Sequence, residues 1–175
     1  MKPTICIITG PCGAGKSIIS KSLAKEIKRS AYLEVDLIRN DMILNGFVSP
    51  VSYKGESKKQ VDLATKNASA LALNFYKAGF NVFIDDVLEK KQQVKDYSNY
   101  LKKFNLQIFL LLPNKRILSK RDKCRTKENQ MGKRAIELHD IFTERISEEN
   151  WHVLDTSGQS IQDTHNEILK ILGSG

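Results

Sequence analysis

The chain is short of cysteine. Cys6, Cys12 and Cys124 are the only three in 175 residues, and they show no CxxC spacing. That excludes a disulfide framework and a cysteine-based metal site, and reads as reduced thiols. Histidine is equally scarce: His139, His152 and His165 are scattered and make no metal pattern. No run of 18 apolar residues occurs, so no helical membrane span is expected. The N-terminal apolar stretch is too short for a signal-peptide core, which leads to the expectation of a cytoplasmic protein. There is no internal repeat and no long linker. A single domain over 1–175 is the natural expectation, and that length supports a sizeable core. An apolar content of 41% and a charged content of 27% are ordinary for a globular chain.

Positive charge is what the chain has in surplus, with 28 Lys and Arg against 20 Asp and Glu. A net charge of +8 suggests anionic partners, either nucleotide phosphates or nucleic acid. Solvated lysine faces explain the same number, so the charge alone selects no substrate.

The stretch Gly10-Pro11-Cys12-Gly13-Ala14-Gly15-Lys16-Ser17 reads G-x-x-x-x-G-K-S, the phosphate-binding P-loop pattern. A triphosphate needs several backbone N–H donors converging on its oxygens, so the loop must curl tightly and glycines must supply the backbone freedom. Lys16 places a cation on the β- and γ-phosphates, and the Ser17 hydroxyl is suited to Mg²⁺. The context agrees. Thr4–Thr9 is a β-branched apolar run, as in a buried parallel strand. Ile19, Leu23 and Ile27 then recur at four-residue spacing, predicting an amphipathic helix to about residue 29 whose N-terminus faces the phosphates.

A second strand is expected over Ala31–Val35, ending at Asp36, with a helical segment from Leu37. Ligands bind at the carboxyl ends of strands in open α/β sheets, which makes Asp36 a candidate for orienting an acceptor hydroxyl and taking its proton. Arg39, three residues on, shares its helical face as a cationic partner. The plain alternative makes Asp36 a helix N-cap. Residues 40–55, punctuated by Gly46, Pro50 and Gly55, read as a loop-rich acceptor region or lid, the acceptor site spanning about 36–60. A helix is expected over about 56–78, with Gly79 at its C′ position.

Phe80–Asp86 is an apolar strand ending in two carboxylates, the shape of a Walker B element. Asp85 is favoured for the metal shell and Asp86 for the acceptor side, since strand alternation sends neighbouring side chains to opposite faces. A polar helix is expected from Val87 to about Lys103, and a strand over Leu106–Leu112. Asn114-Lys115-Arg116-Ile117 resembles the guanine-reading N-K-x-D motif but lacks its carboxylate, which argues against a GTPase. Helices over about 115–125 and from 133, joined by a polar turn, predict a mobile lid at about 121–134. Arg121, Arg125 and Arg134 are its candidates for neutralising charge on the transferred phosphoryl group, or simply surface arginines. Trp151–Leu154 is the last strand, and its Asp155–Gly158 loop, with Thr156 and Ser157, lies where a nucleotide base could rest. Ser160 and Asp163 form a capping-box-like start to a final helix, in which His165 reads as an ordinary helix residue, and Gly173–Gly175 as a flexible end.

Five strands alternating with helices predict a three-layer α/β fold. The chain resembles the P-loop kinases of the chloramphenicol phosphotransferase-like and zeta-toxin-like group, relatives of shikimate and gluconate kinases. The resemblance rests on ITGPCGAGKS (8–17), VDLIR (35–39), VFIDDV (82–87), RDKCR (121–125), MGKR (131–134) and LDTSG (154–158). It implies a five-stranded parallel sheet of order 2-3-1-4-5, ATP with Mg²⁺, and a small-molecule acceptor. It further implies Asp36 as the acceptor-activating base, Arg39 as its partner, and Arg121, Arg125 and Arg134 in the lid. Two other functions share these features: a polynucleotide 5′-hydroxyl kinase, and a non-catalytic ATP-binding switch. Oligomeric state has no signature in the sequence.

Overall fold

The computed structural model describes residues 2–147 and 150–173. Five strands run β1 Ile5–Thr9, β2 Ser30–Glu34, β3 Asn81–Asp85, β4 Leu106–Leu111 and β5 His152–Leu154. They form one parallel sheet in the order β2-β3-β1-β4-β5. Helices α1 Lys16–Glu26, α2 Val35–Asn40, α3 Gly55–Lys77, α4 Lys91–Leu101, α5 Lys115–Lys123, α6 Lys133–Arg145 and α7 Ile161–Gly173 surround it. Short 3-10 turns occupy Pro50–Ser52 and Lys127–Asn129.

The two-residue period of the strands builds two cores. Ile5, Ile7, Val82, Ile84, Ile108 and Leu110 face one way and meet Ala64, Ala68 and Ala72 of α3 with Tyr97 and Leu101 of α4. Cys6, Ile8, Phe83, Phe109 and Leu111 face the other way and meet Ile19 and Leu23 of α1 with Ile168 of α7. A parallel sheet covered on both faces needs such continuous apolar strands. Behind the second core, the buried His165 places Nδ1 2.8 Å from the Ser22 hydroxyl, so it ties α7 to α1 and is more than an ordinary helix residue.

Register aligns the strand ends: Glu34 lies opposite Asp85, and Ile8 opposite Asp85 on the other side. The carboxyl ends of β1, β2 and β3 therefore come together where the glycine-rich loop leaves β1.

Several boundaries differ from the sequence expectation. β2 stops at Glu34, because Val35 is drawn into the core and starts α2; Asp36 is thus in the helix's first turn, neither a strand end nor an N-cap. α4 starts at Lys91, four residues late. Val87–Lys90 are held out of the helix by Leu88, which is fully buried, donates from its N–H to Thr9 Oγ1 at 3.0 Å and accepts at its carbonyl from Arg145 at 2.7 Å. Asn114 Oδ1 accepts from the Ile117 N–H at 3.0 Å, so the guanine-like tetrapeptide is a helix cap. Gly173 is the last helical residue of α7, and the rest of the expected flexible end lies outside the described residues.

Candidate functional site

A cleft of about 620 Å³ opens at the carboxyl edge of the sheet. That falls in the range of small-molecule sites, about 300–1,000 Å³. Cys12, Gly13, Ala14, Gly15, Lys16 and Ser17 line it. Gly10 and Pro11 are buried and do not line it. At Gly10 a Cβ would sit 2.3 Å from the carbonyl oxygen of Leu111, at a φ of +142°. Gly15 takes a left-handed φ of +101° as the residue that turns the loop into α1. Lys16 Nζ reaches the Pro11 carbonyl at 3.4 Å, so the lysine folds over its own loop.

The Ser17 hydroxyl donates to Asp85 Oδ2 at 2.5 Å. Tyr32 OH donates to Glu34 Oε2 at 2.8 Å and approaches Asp85 Oδ2 at 3.4 Å. Burial pushes Asp85 above the usual carboxylate range, while Lys16 and the Ser17 hydrogen bond pull it back. This donor set fits Mg²⁺. The oxygens are hard, the carboxylate is buried among further negative charge from Asp36 and Glu34, and a serine of the loop already reaches it. Among the described residues no three His, Cys, Asp or Glu side chains gather to hold a metal. Ser17 and Asp85 would therefore share the ion with phosphate oxygens and water, as Mg²⁺ prefers.

Asp86 is also buried, and it also lines the cleft. Strand alternation separates the two acids: Asp85 turns toward α1 and Asp86 toward α4, where Tyr97 OH donates to its Oδ2 at 2.9 Å. Burial first, then the nearby Asp36, push Asp86 up to about 7.

Asp36 lines this cleft and also a second cavity of about 120 Å³, so it stands at their junction, together with Cys12 and Val87. Arg39, nearly buried, holds Asp36 Oδ1 from Nη2 at 2.6 Å and lines the second cavity only. Apolar Pro50, Val51, Val61 and Leu138 wall that cavity, with Tyr53 and Gln93. The 40–55 segment, expected as an acceptor region, thus contributes Pro50, Val51 and Tyr53.

The three lid arginines diverge. Arg121 donates from Nη1 to Thr156 Oγ1 at 3.2 Å and from Nη2 to the Thr156 carbonyl at 2.8 Å, and it approaches the Ala14 carbonyl at 3.4 Å. It bridges the glycine-rich loop and the loop after β5. Arg125 lines the same cleft, 3.6 Å from Asp122. Arg134 does not line it. Its Nη2 pairs with Glu89 Oε2 at 2.6 Å and its Nη1 with Glu137 Oε2 at 3.2 Å, on the wall of the second cavity. Thr156 lines the cleft, but Ser157 does not: its hydroxyl bonds Asp155 and accepts from the Asn114 N–H at 2.7 Å.

Sequence reasoning missed Asp122 and Glu89. Buried Asp122 accepts from the N–H groups of Met131 at 3.1 Å and Gly132 at 2.8 Å, closing the lid turn across ten residues. Glu89 pairs with Lys90 at 2.5 Å as well as with Arg134. Neither spacing is helical or strand-like, so no local pattern announces it.

No helix among the described residues is long and apolar enough to cross a membrane. Neither a protein-family model nor a curated protein matches the chain. Solved structures do. A sugar kinase from Janibacter sp. HTCC2649 is 14% identical with a TM-score of 0.75, over 98% of this chain and 95% of that one. The tunicamycin resistance protein of Deinococcus radiodurans is 18% identical with a TM-score of 0.73, over 98% and 96%. Shikimate kinase from Acinetobacter baumannii is 17% identical with a TM-score of 0.68, over 98% and 94%. With its sheet order and the helices around it, this chain has the fold of the P-loop kinases.

Proposed function

We propose that the chain is an ATP-dependent phosphotransferase that moves the γ-phosphoryl group of ATP to a hydroxyl of a small-molecule acceptor. The observation that carries this reading is the position of Asp36, at the junction of the nucleotide-sized cleft and the second cavity. A group that only binds nucleotide has no need of a carboxylate there, which disfavours the ATP-binding switch. The motifs shared with chloramphenicol phosphotransferase-like kinases support the same reading, and the cytoplasm is the compartment it assigns.

The glycine-rich loop holds the phosphates through its N–H groups, and Lys16 releases Pro11 to meet the β- and γ-phosphates. Ser17 and Asp85 would hold Mg²⁺, which would supply charge neutralisation on the phosphate oxygens. Arg39 fixes Asp36, which accepts a hydrogen bond from the acceptor hydroxyl. The acceptor oxygen bonds the γ-phosphorus as the bond from phosphorus to the bridging oxygen of ADP breaks, and the hydroxyl proton passes to Asp36. Arg125 adds positive charge beside the phosphates, and Arg121 with Thr156 holds the base-side wall.

The test is γ-labelled ATP with Mg²⁺ against antibiotics, sugars, nucleosides and sugar nucleotides, with Asp36→Asn in parallel. Label transfer by the wild type alone supports the reading. Equal transfer by Asp36→Asn removes the base, and ADP release that no acceptor stimulates removes the transferase.

A second reading, a polynucleotide 5′-hydroxyl kinase, draws on how the charge is distributed. Residues 115–134 hold nine Lys and Arg against two Asp and Glu, a surplus of seven where the whole chain has +8. Arg116, Lys120, Lys123, Lys127 and Lys133 of this segment are exposed. A 5′-hydroxyl RNA oligonucleotide decides it: label transfer and binding that weakens steeply with salt support this acceptor, and neither is expected for a small-molecule kinase.

A further inference from the structure

Tyr53 stands between two cavities. It lines the inner one of about 120 Å³, which Asp36 also lines, and an outer one of about 400 Å³ bordered by the start of α4 and the end of α6. Glu89 and Lys90 line both as well, so these three side chains form the partition. Its two sides are held differently. Lys90 pairs with Glu89 at 2.5 Å, and Arg134 fixes Glu89 in turn at 2.6 Å. The half-buried Tyr53 donates from its OH to Asp62 Oδ1 at 3.0 Å, and the ammonium groups of Lys58 and Lys90 lie 5.4 and 5.5 Å from its ring centre.

The backbone of Tyr53 has a left-handed φ of +44°, which among the described residues only Arg29 shares without being glycine. Such a conformation persists only where the surroundings impose it. Here the chain just before it is pinned to α3. Gln60 bonds the Val48 N–H at 2.9 Å and the Gly46 carbonyl at 2.8 Å, and the Ser57 hydroxyl donates to the Ser49 carbonyl at 2.8 Å. The ring of Tyr53, and not the loop that carries it, is therefore the part that can swing.

Cys12, Asp36 and Val87 line both the main cleft and the inner cavity. A triphosphate in the main cleft stops the way in from that side, so an acceptor must then come by another route. Resting on the phosphotransferase reading, we propose that Tyr53 is the gate of a second entrance, through which an acceptor passes from the outer cavity to Asp36 while nucleotide occupies the main cleft. Turning the ring aside breaks its bond to Asp62 and joins the two cavities. Its return shuts water out during transfer.

The Cys12 thiol reports on this entrance without any acceptor. The test uses the full chain with Cys124→Ser, which removes the exposed cysteine and leaves Cys6 fully buried. The protein is saturated with a non-hydrolysable ATP analogue and Mg²⁺, and alkylation of Cys12 by iodoacetamide is followed by mass spectrometry. The analogue is expected to slow alkylation in the wild-type background. With the analogue bound, Tyr53→Phe keeps the ring but loses its hydrogen bond and is expected to raise the rate about threefold or more, and Tyr53→Ala about tenfold or more. Leu44→Ala, on the same segment, 92% exposed and lining neither cavity, leaves the rate unchanged. Near-UV circular dichroism verifies the fold of each variant.

Protection by the analogue that is as complete in Tyr53→Ala as in the wild type overturns the gate, and so does an equal acceleration in Leu44→Ala. A rate unchanged in Tyr53→Phe overturns the part given to the Asp62 bond. An analogue that protects Cys12 in no variant removes the nucleotide reading and the gate with it. A Tyr53-dependent rate together with no label transfer from γ-labelled ATP to any acceptor keeps the entrance and removes the chemistry.

Discussion

Ser17 and Asp85, 68 residues apart, share a hydrogen bond of 2.5 Å that joins the first turn of α1 to the end of β3. The parallel pairing of β1 with β3 brings this about, since it sets Ile8 beside Asp85 and delivers the glycine-rich loop next to the acid. On the proposed phosphotransferase reading, this is where an ion shared by protein and nucleotide would sit.

Replacing either partner should therefore change the demand for Mg²⁺. Ser17→Ala and Asp85→Asn are each expected to raise the Mg²⁺ concentration that half-saturates ATP binding by about tenfold, equivalent to about 1.4 kcal/mol. Titrating Mg²⁺ against a fluorescent ATP analogue measures it. Unchanged Mg²⁺ dependence in both variants would place the ion elsewhere.

The glycine-rich loop should be intolerant at one of its buried positions. Gly10→Ala puts a methyl 2.3 Å from a backbone oxygen that cannot move without disturbing β4, at a φ that L-residues avoid. A loss of about 1–3 kcal/mol is expected. In a chain of this size that lowers the melting temperature by roughly 2–4 °C per kcal/mol. Gly15→Ala meets nothing within 4 Å, so its cost is conformational alone and should be smaller. Thermal melts of the two variants rank them, and equal melting would refute the steric argument.

Much of the architecture was legible because it depends on period and punctuation. Alternating apolar residues in β1, β3 and β4 declare a sheet buried on both faces, and the G-x-x-x-x-G-K-S pattern declares the loop. Ser160 caps α7 as its pattern suggested, with the Asp163 N–H donating to its hydroxyl at 3.1 Å. What stayed hidden is long-range. Nothing near Val35 says that tertiary burial will turn a strand end into a helix start. Arg134 and Arg121 look alike in sequence, yet Glu89, 45 residues away, claims the first, and Thr156 the second. Ser157 was drawn toward Asn114 by the α5 cap, a pairing across 43 residues.

Arg121 offers a test of geometry against charge. Both of its terminal nitrogens are used on Thr156, and one also approaches Ala14. A lysine brings the charge without the planar fork. Arg121→Lys is therefore expected to weaken ATP binding nearly as much as Arg121→Ala, each by about tenfold or more, as loss of hydrogen bonds from a charged group implies. Calorimetric titration with ATP checks this, and full retention of affinity in the lysine variant would show that charge alone matters.

Asp122 tests whether the lid turn is a built element or an incidental loop. Its carboxylate is 4% exposed and accepts from two consecutive N–H groups, those of Met131 and Gly132, while Arg125 stands 3.6 Å away. Asp122→Ala leaves both donors without a partner, at a cost of about 1–3 kcal/mol. Because the bonds lie at the turn between α5 and α6, the loss should be local. Hydrogen exchange at Met131 and Gly132 is expected to accelerate about tenfold or more, while amides of β1 and β4 in the sheet centre change little. Asp122→Asn keeps an acceptor oxygen and should recover part of the protection. If exchange accelerates equally in the strands, the aspartate supports the whole fold; if it does not accelerate at all, the turn is held by Gln130 and its contacts to the Lys123 and Arg125 carbonyls instead.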